Sequence, residues 1–276
     1  MFDIVVPGPQ SYPRSCTNLR GEIDEACGKN RRVVDRHQPC GKTVDVRVIA
    51  LGGSLLSDDS IVFEKWMEGL AEILKKRSDQ ESKTVLVVGG GAVARNAINV
   101  VSKTTRDRDS LDRVGISATR LNATIIREKL LSLGVHVSRE EPTSVQDAIR
   151  NTGHELLVMG GTEPGHTTDC VAIEIAIGIK AQSCLIATNV SHVYTSDPST
   201  DPNATPISTM SHEDLRVLVG EPKDHKAGGR SVVDPVGAKI ARESDLDLDI
   251  VDGRDHSAMS NALAGLKFNG TQISVK

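Results

Sequence analysis

An α/β fold with an open, mainly parallel sheet covered by helices on both faces is what this sequence predicts, and three observations predict it. From residue 44 onward, short apolar runs rich in β-branched residues alternate with stretches of helical apolar spacing. The runs are apolar throughout rather than at alternate positions, as strands covered on both faces are. Four of them end in glycines or small polar residues: Gly52-Gly53, Gly89-Gly90-Gly91, Gly160-Gly161 and Thr188-Asn189. Ligands of open α/β sheets sit beyond the carboxyl ends of the strands. Four permissive turns at the same point of the repeat therefore imply one long, phosphate-binding rim. Tight turns without a ligand would put glycines at strand starts as often.

Residues 1–43 carry Pro7, Pro9, Pro13 and Pro39, scattered charge and no sustained period. They read as a poorly ordered extension, which leaves 44–276 as the folded domain. Gly41-Lys42-Thr43 looks like the end of a Walker A loop, but Arg36 stands where its first glycine is needed. Cys16, Cys27, His37 and Cys40 fit no zinc-finger spacing. The run 46–51 reads as a strand, and Val62, Trp66, Leu70, Ile73 and Leu74 as the apolar face of a helix over 61–76. The unit repeats as strand 84–88 and helix 92–101. A polar link, 102–109, leads to a long helix over 112–133, a short strand at 135–137 and a helix at 144–150. Strand 156–159, an apolar helix over 170–179 and strand 184–187 follow. Residues 190–207 are loop-rich, with Asp197-Pro198 and Asp201-Pro202 marking turns. Ser211 with Asp214 three residues on starts a capped helix over 211–219. The stretch 221–230 is polar and glycine-bearing, which predicts mobility. Pro235 suits the first turn of a helix over 234–243. Strand 248–251, helix 259–266 and an edge strand at 271–275 complete the chain.

With 276 residues the chain can bury a full core, and its net charge of -4 offers no basic surface for nucleic acid or membrane. Aromatic residues, at 2%, are too few for base-stacking platforms. Five cysteines without a CxxC pair fit free thiols in a reducing compartment. No apolar stretch approaches the ~18 residues of a membrane span, and no secretory h-region opens the chain. The expectation is a soluble, cytoplasmic protein.

The chain is organised around 159–169, MGGTEPGHTTD, a polar loop between strand and helix. Gly160 and Gly161 let the backbone approach a ligand, while Thr162, His166, Thr167 and Thr168 offer donors beside the open N–H groups of a helix start. Asp169, in the first helical turn, suits a helix N-terminus by charge alone. Beside a phosphate-shaped pocket it can also orient the groups of a transfer reaction.

The motifs ALGGS at 50–54, VVGGGAVAR at 87–95, LDRVGISATRLNA at 111–123, GGTEPGHTTD at 160–169, ATNVSHVYTSDP at 187–198 and KAGGRSVVDPVGAKI at 226–240 together resemble archaeal-type UMP kinases of the amino acid kinase superfamily. The resemblance runs in order from about residue 45 to the C-terminus. It implies a three-layer amino acid kinase sandwich and transfer of the ATP γ-phosphoryl group to UMP, giving UDP and ADP. It further implies a hexamer, with Mg2+ carried by the nucleotide and no resident metal. Matched motif by motif, Gly53 and Ser54 would contact ATP phosphates, with Gly91 and Arg95 also on the ATP side. Gly90 would face UMP, Asp112 would hold its ribose, and Thr162, Glu163, Pro164, Gly165, His166, Thr167 and Thr168 would wrap the uracil and the acceptor phosphate. Thr188, Asn189, Tyr194 and Asp197 would cradle the adenine nucleoside. For the transfer step the expected groups are Gly53, Arg95 and Lys226 for charge and Asp169 as organiser.

Three departures stand out. Many superfamily members have a lysine where this chain has Ala50. Ser191-His192 replaces a common Asp-Gly, which puts a glycine-only backbone angle in question and leaves His192 as a surface histidine. The extension has no counterpart. Three rival readings remain. Gly89-x-Gly91-x-x-Ala94 fits a dinucleotide fingerprint with Asp107, Asp109 or Asp112 as the ribose acid. An isopentenyl phosphate kinase and a non-catalytic nucleotide-binding or storage protein share the superfamily fold.

Overall fold

The computed structural model describes residues 44–198, 200–220 and 232–275. The N-terminal extension, the stretch 221–230 and Lys226 lie outside the described residues.

Strands β1 (Val46–Leu51), β2 (Lys83–Val88), β3 (Leu156–Met159), β4 (Ser183–Thr188), β7 (Thr209–Ser211), β8 (Asp247–Asp252) and β9 (Gly270–Ser274) form a seven-stranded sheet in the order β3-β2-β1-β4-β8-β9-β7. All neighbours run parallel except β8 and β9. Leu51 lies opposite both Val88 and Ala187, and Val87 opposite Met159, so β3, β2, β1 and β4 end side by side. A small ribbon of β5 (Val193–Tyr194) and β6 (Pro206–Ile207) lies apart from the sheet.

Alternation within the strands makes the two faces. Val48 and Ala50 of β1 join one apolar cluster with α4 (Val145–Arg150), α5 (Thr168–Gly178), α6 (His212–Val219) and α7 (Pro235–Glu243). Ile49 and Leu51 join a second with α1 (Ser60–Asp79), α3 (Arg108–Ser132) and α8 (His256–Leu263). Helix α5 is apolar nearly all round because it touches the sheet on one side and α4 and α7 on the other. Helix α2 (Gly91–Val101) buries no side chain fully and rests on α3.

Two sequence expectations need correction. Residues 135–137 form no strand, since a single bond from Ser138 N–H to the Leu156 carbonyl (2.8 Å) joins that stretch to β3. β9 is no edge strand, because the short β7 pairs outside it. The region 190–207 contains the β5–β6 ribbon. Among the described residues no helix is long and apolar enough to cross a membrane.

Candidate active site

The aligned strand ends bring their turns together. Gly52 N–H donates to the Ala187 carbonyl and Gly89 N–H to the Leu51 carbonyl, each at 2.8 Å, which carries the β-ladder one residue past the strands. Gly53 and Gly91 then meet backbone to backbone. A Cβ on either would overlap the main chain of the other, and Gly91 has φ +55°. These two glycines are thus required by the contact between turns, whether or not a ligand is bound. The Asn122 amide donates to the Gly89 and Gly90 carbonyls (2.8 and 3.1 Å) and fixes the second turn from α3.

Two helices start on this half of the rim, α2 and a short 3-10 turn, Gly53–Leu55. Both have a glycine N-cap and no side-chain cap. Among the described residues the other α-helices are capped by Asp59, Asp107, Ser144, Thr167, Ser211, Asp234 and Asp255. A first turn without a side-chain cap leaves N–H donors and the positive helix end open, the condition for holding an anion.

The β3–α5 loop is held by side chains instead. Gly161 N–H donates to Thr119 Oγ1 (2.7 Å), and the Arg120 guanidinium donates to the carbonyls of Gly161 and Thr162 (both 3.1 Å). Gly165, at φ +87°, donates its N–H to the Asp112 carboxylate at 2.8 Å. Thr167 Oγ1 accepts from Cys170 N–H at 3.2 Å, capping α5, and donates to the Asp234 carboxylate at 3.1 Å. His166 Nδ1 pairs with Glu174 at 3.3 Å. Burial, together with the neighbouring Asp234 charge, pushes the Asp169 carboxyl up to about 7, partly offset by the hydrogen bond with the Asp234 backbone. Burial and the carboxylates of Glu174, Asp234 and Asp169 likewise push the Cys170 thiol up to about 12.

Past β4, the Thr188 carbonyl accepts from Gly253 N–H (2.7 Å) and the Asn189 carbonyl from Arg254 (2.9 Å), which is paired with Asp252 at 2.7 Å. The Ser191 hydroxyl lies 3.1 Å from the Tyr194 hydroxyl and 3.0 Å from His192 Nδ1. The His192 and Tyr194 rings meet edge-on at 6.3 Å. His192 is accordingly half-buried, not a surface histidine, and burial lowers its pKa. Neither Ser191 nor His192 has a positive φ, so this turn has no need of a glycine.

The rim thus gathers Gly53, Ser54, Gly90, Gly91, Asp112, residues 162–168, Asp169, Thr188 and Asn189 at the ends of four adjacent strands. Arg95 is exposed further along α2. Tyr194 stands on β5 and bonds to Ser191, while the Asp197 carbonyl closes the next turn with the N–H groups of Thr200 and Asp201. TRLNA at 119–123 is legible as a motif, but the parts played by Thr119, Arg120 and Asn122, and by Asp234 and Arg254, are not. Asp107, the first candidate acid of the dinucleotide reading, is the N-cap of α3. Ala50 is buried inside β1, in the layer under α5.

A model of the "Amino acid kinase family" matches residues 45–252. The chain is 37% identical over 228 residues to a uridylate kinase of Methanothrix thermoacetophila, covering 82% of this chain and 98% of that one. It is 38% identical over 229 residues to a uridylate kinase of Methanocaldococcus jannaschii, with the same coverage, 82% and 98%. The solved uridylate kinase of Archaeoglobus fulgidus superposes with TM-score 0.71 at 30% identity, covering 84% of this chain and 100% of that one. The Bacillus anthracis UMP kinase, at 22% identity and TM-score 0.68, shares the fold. With the family model matching residues 45–252 and relatives of 37% and 38% identity covered over 98% of their length, this protein belongs to the amino acid kinase family.

Proposed function

We propose that this chain is a UMP kinase, transferring the γ-phosphoryl group of ATP to UMP to give UDP and ADP on the route to UTP and CTP. The observation that carries this reading is the rim itself. Two uncapped glycine turns offer backbone donors for a triphosphate, directly beside a loop furnished for a phosphorylated acceptor. Relatives of 37% and 38% identity named uridylate kinase support it.

In this reading Gly53, Ser54 and Gly91 hold the ATP phosphates through N–H groups, and Arg95 and Lys226 supply cationic charge. Thr188, Asn189, Tyr194 and Asp197 frame the adenine nucleoside. Gly90, Asp112 and residues 162–168 hold UMP. Asp112, which tethers the loop through Gly165, also accepts from the ribose hydroxyls. Asp169 organises the junction. Its carboxyl, proton-holding near neutrality in the free protein, is a hard oxygen donor whose ionised form an arriving cation favours. Nucleotide-borne Mg2+ would supply positive charge beside the triphosphate. The protein's contribution is alignment: donor and acceptor phosphates in line, with donors fixed beforehand.

The working form is a homo-oligomer, for which the family resemblance suggests a hexamer. Val93 and Val100 of α2 and Leu121 and Ile125 of α3 stay exposed on one packed helix pair, as a face covered by another copy requires. The cytoplasm, where UMP and ATP are available, is the proposed compartment. Coupled detection of ADP with UMP, with isopentenyl phosphate and with no acceptor tests the activity. Turnover with UMP alone is expected. Preference for isopentenyl phosphate, or no turnover at all, would overturn it.

A further inference from the structure

We propose that His166, Cys170 and Glu174 bind one thiophilic divalent cation of the zinc class immediately behind the β3–α5 loop. Cys170 and Glu174, four residues apart, share one face of α5, and His166 reaches the same point from the loop just before the N-cap Thr167. Their ligand atoms all lie within 4.8 Å of one another, and His166 Nδ1 is 3.3 Å from Glu174 Oε2. Around a tetrahedral ion with bonds of ~2.0–2.3 Å, ligand atoms stand roughly 3.3–3.8 Å apart. The nitrogen and oxygen already keep that spacing, and the sulfur reaches it by a small side-chain adjustment.

An ordinary His–Glu pair accounts for two of these groups and leaves a buried thiol at the same point unexplained. One imidazole, one thiolate and one carboxylate select zinc-like ions over the magnesium that travels with nucleotides. Entry is open. The His166 and Glu174 side chains are 31% and 25% exposed, and Glu174 lines a cavity of about 390 Å³ shared with Thr162 and Glu163. Three protein ligands leave a fourth position for water, and the Thr162 hydroxyl beside this cavity has no hydrogen-bond partner among the described residues. Binding forms the metal–sulfur bond and releases the Cys170 proton to solvent, with no change of oxidation state. The bound ion pins His166, and with it the loop, to α5. Any effect on UMP affinity rests on the kinase reading, whereas the binding itself does not.

The test uses full-length, nucleotide-free protein in which Cys16, Cys27 and Cys40 are replaced by serine, leaving Cys170 and Cys184 as the thiols. Co2+ titration should give a thiolate-to-cobalt absorption band saturating at one ion per chain and displaced by Zn2+. The band should disappear in Cys170→Ala and persist in Cys184→Ala. Glu174→Gln should weaken Zn2+ binding at least ~10-fold and reduce the Zn2+-dependent rise in melting temperature. Absence of the band, or its survival in Cys170→Ala, would overturn the proposal. A band that tracks Cys170 in a protein without UMP turnover would keep the metal site and reject the kinase. Turnover without the band would do the reverse.

Discussion

The two halves of the rim hold their shape by different means. Between β1 and β2 the site is main chain, with Gly53 against Gly91 and helix starts that no side chain caps. Between β3 and α5 it is a web of side chains, with Thr119, Arg120, Asp112, Thr167 and Asp234 fixing the loop at 2.7–3.1 Å. Backbone donors read a polyphosphate and nothing more specific, so that half is intolerant of change. The side-chain half can be altered one residue at a time, and in the proposed reading acceptor identity would reside there.

The sharpest way to break this contrast is Gly53→Ala. Its methyl must displace the Gly91 main chain, so stability should fall by roughly 2–4 kcal/mol and turnover at least ~100-fold. Thermal denaturation and initial rates check both, and a stable, active variant would show that the turns do not need their close approach. Next is Asp112→Asn, which should cost about 1.5–3 kcal/mol of acceptor affinity, roughly 10–100-fold in KM for UMP, with KM for ATP nearly unchanged. Equal losses for both substrates would erase the division between halves.

A smaller effect concerns pH. The folded protein holds the Asp169 proton more tightly than the unfolded chain does, its pKa being about 7 against an ordinary 3.8. That contribution to stability is fully present below about pH 4 and is lost as pH rises through 7. Between pH 5.5 and 8.5 the unliganded wild type should therefore lose roughly 1–2 kcal/mol relative to Asp169→Asn, screening by solvent included. Denaturant titrations at both pH values would show it, and a gain in place of a loss would mean a cation already faces this carboxylate. Least of all, removal of residues 1–43 should change kcat and both KM values by less than about twofold, since such extensions tolerate truncation where no backbone of the fold depends on them. An inactive truncation would make the extension part of the domain or of its assembly.

The strands that carry the rim were readable because a buried parallel strand is apolar throughout and its terminal turn needs glycine. β9 was misplaced for a plain reason: β7, the strand outside it, is three residues long and too short to show any period. Within the site, positions declared by backbone chemistry, Gly53, Gly90 and Gly91, were found from local sequence. The groups that fix the loop were not, because their partners are remote in the chain: Gly161 lies 42 residues from Thr119. His192 looked like a surface residue because its partners, Ser191 and Tyr194, become a cluster only once β5 sets their directions. Asp234 caps α7. Its second task, holding Thr167 beside Asp169, depends on α5 and α7 being in contact.

The central claim is that donor and acceptor phosphates lie end to end across adjacent turns of one rim. A bisubstrate inhibitor with uridine and adenosine joined through a polyphosphate chain tests it most directly, by inhibition kinetics against each substrate in turn. Competition with both UMP and ATP, at an affinity well above that of either mononucleotide, is the result end-to-end alignment predicts. Competition with one substrate alone would place the two sites apart and contradict it.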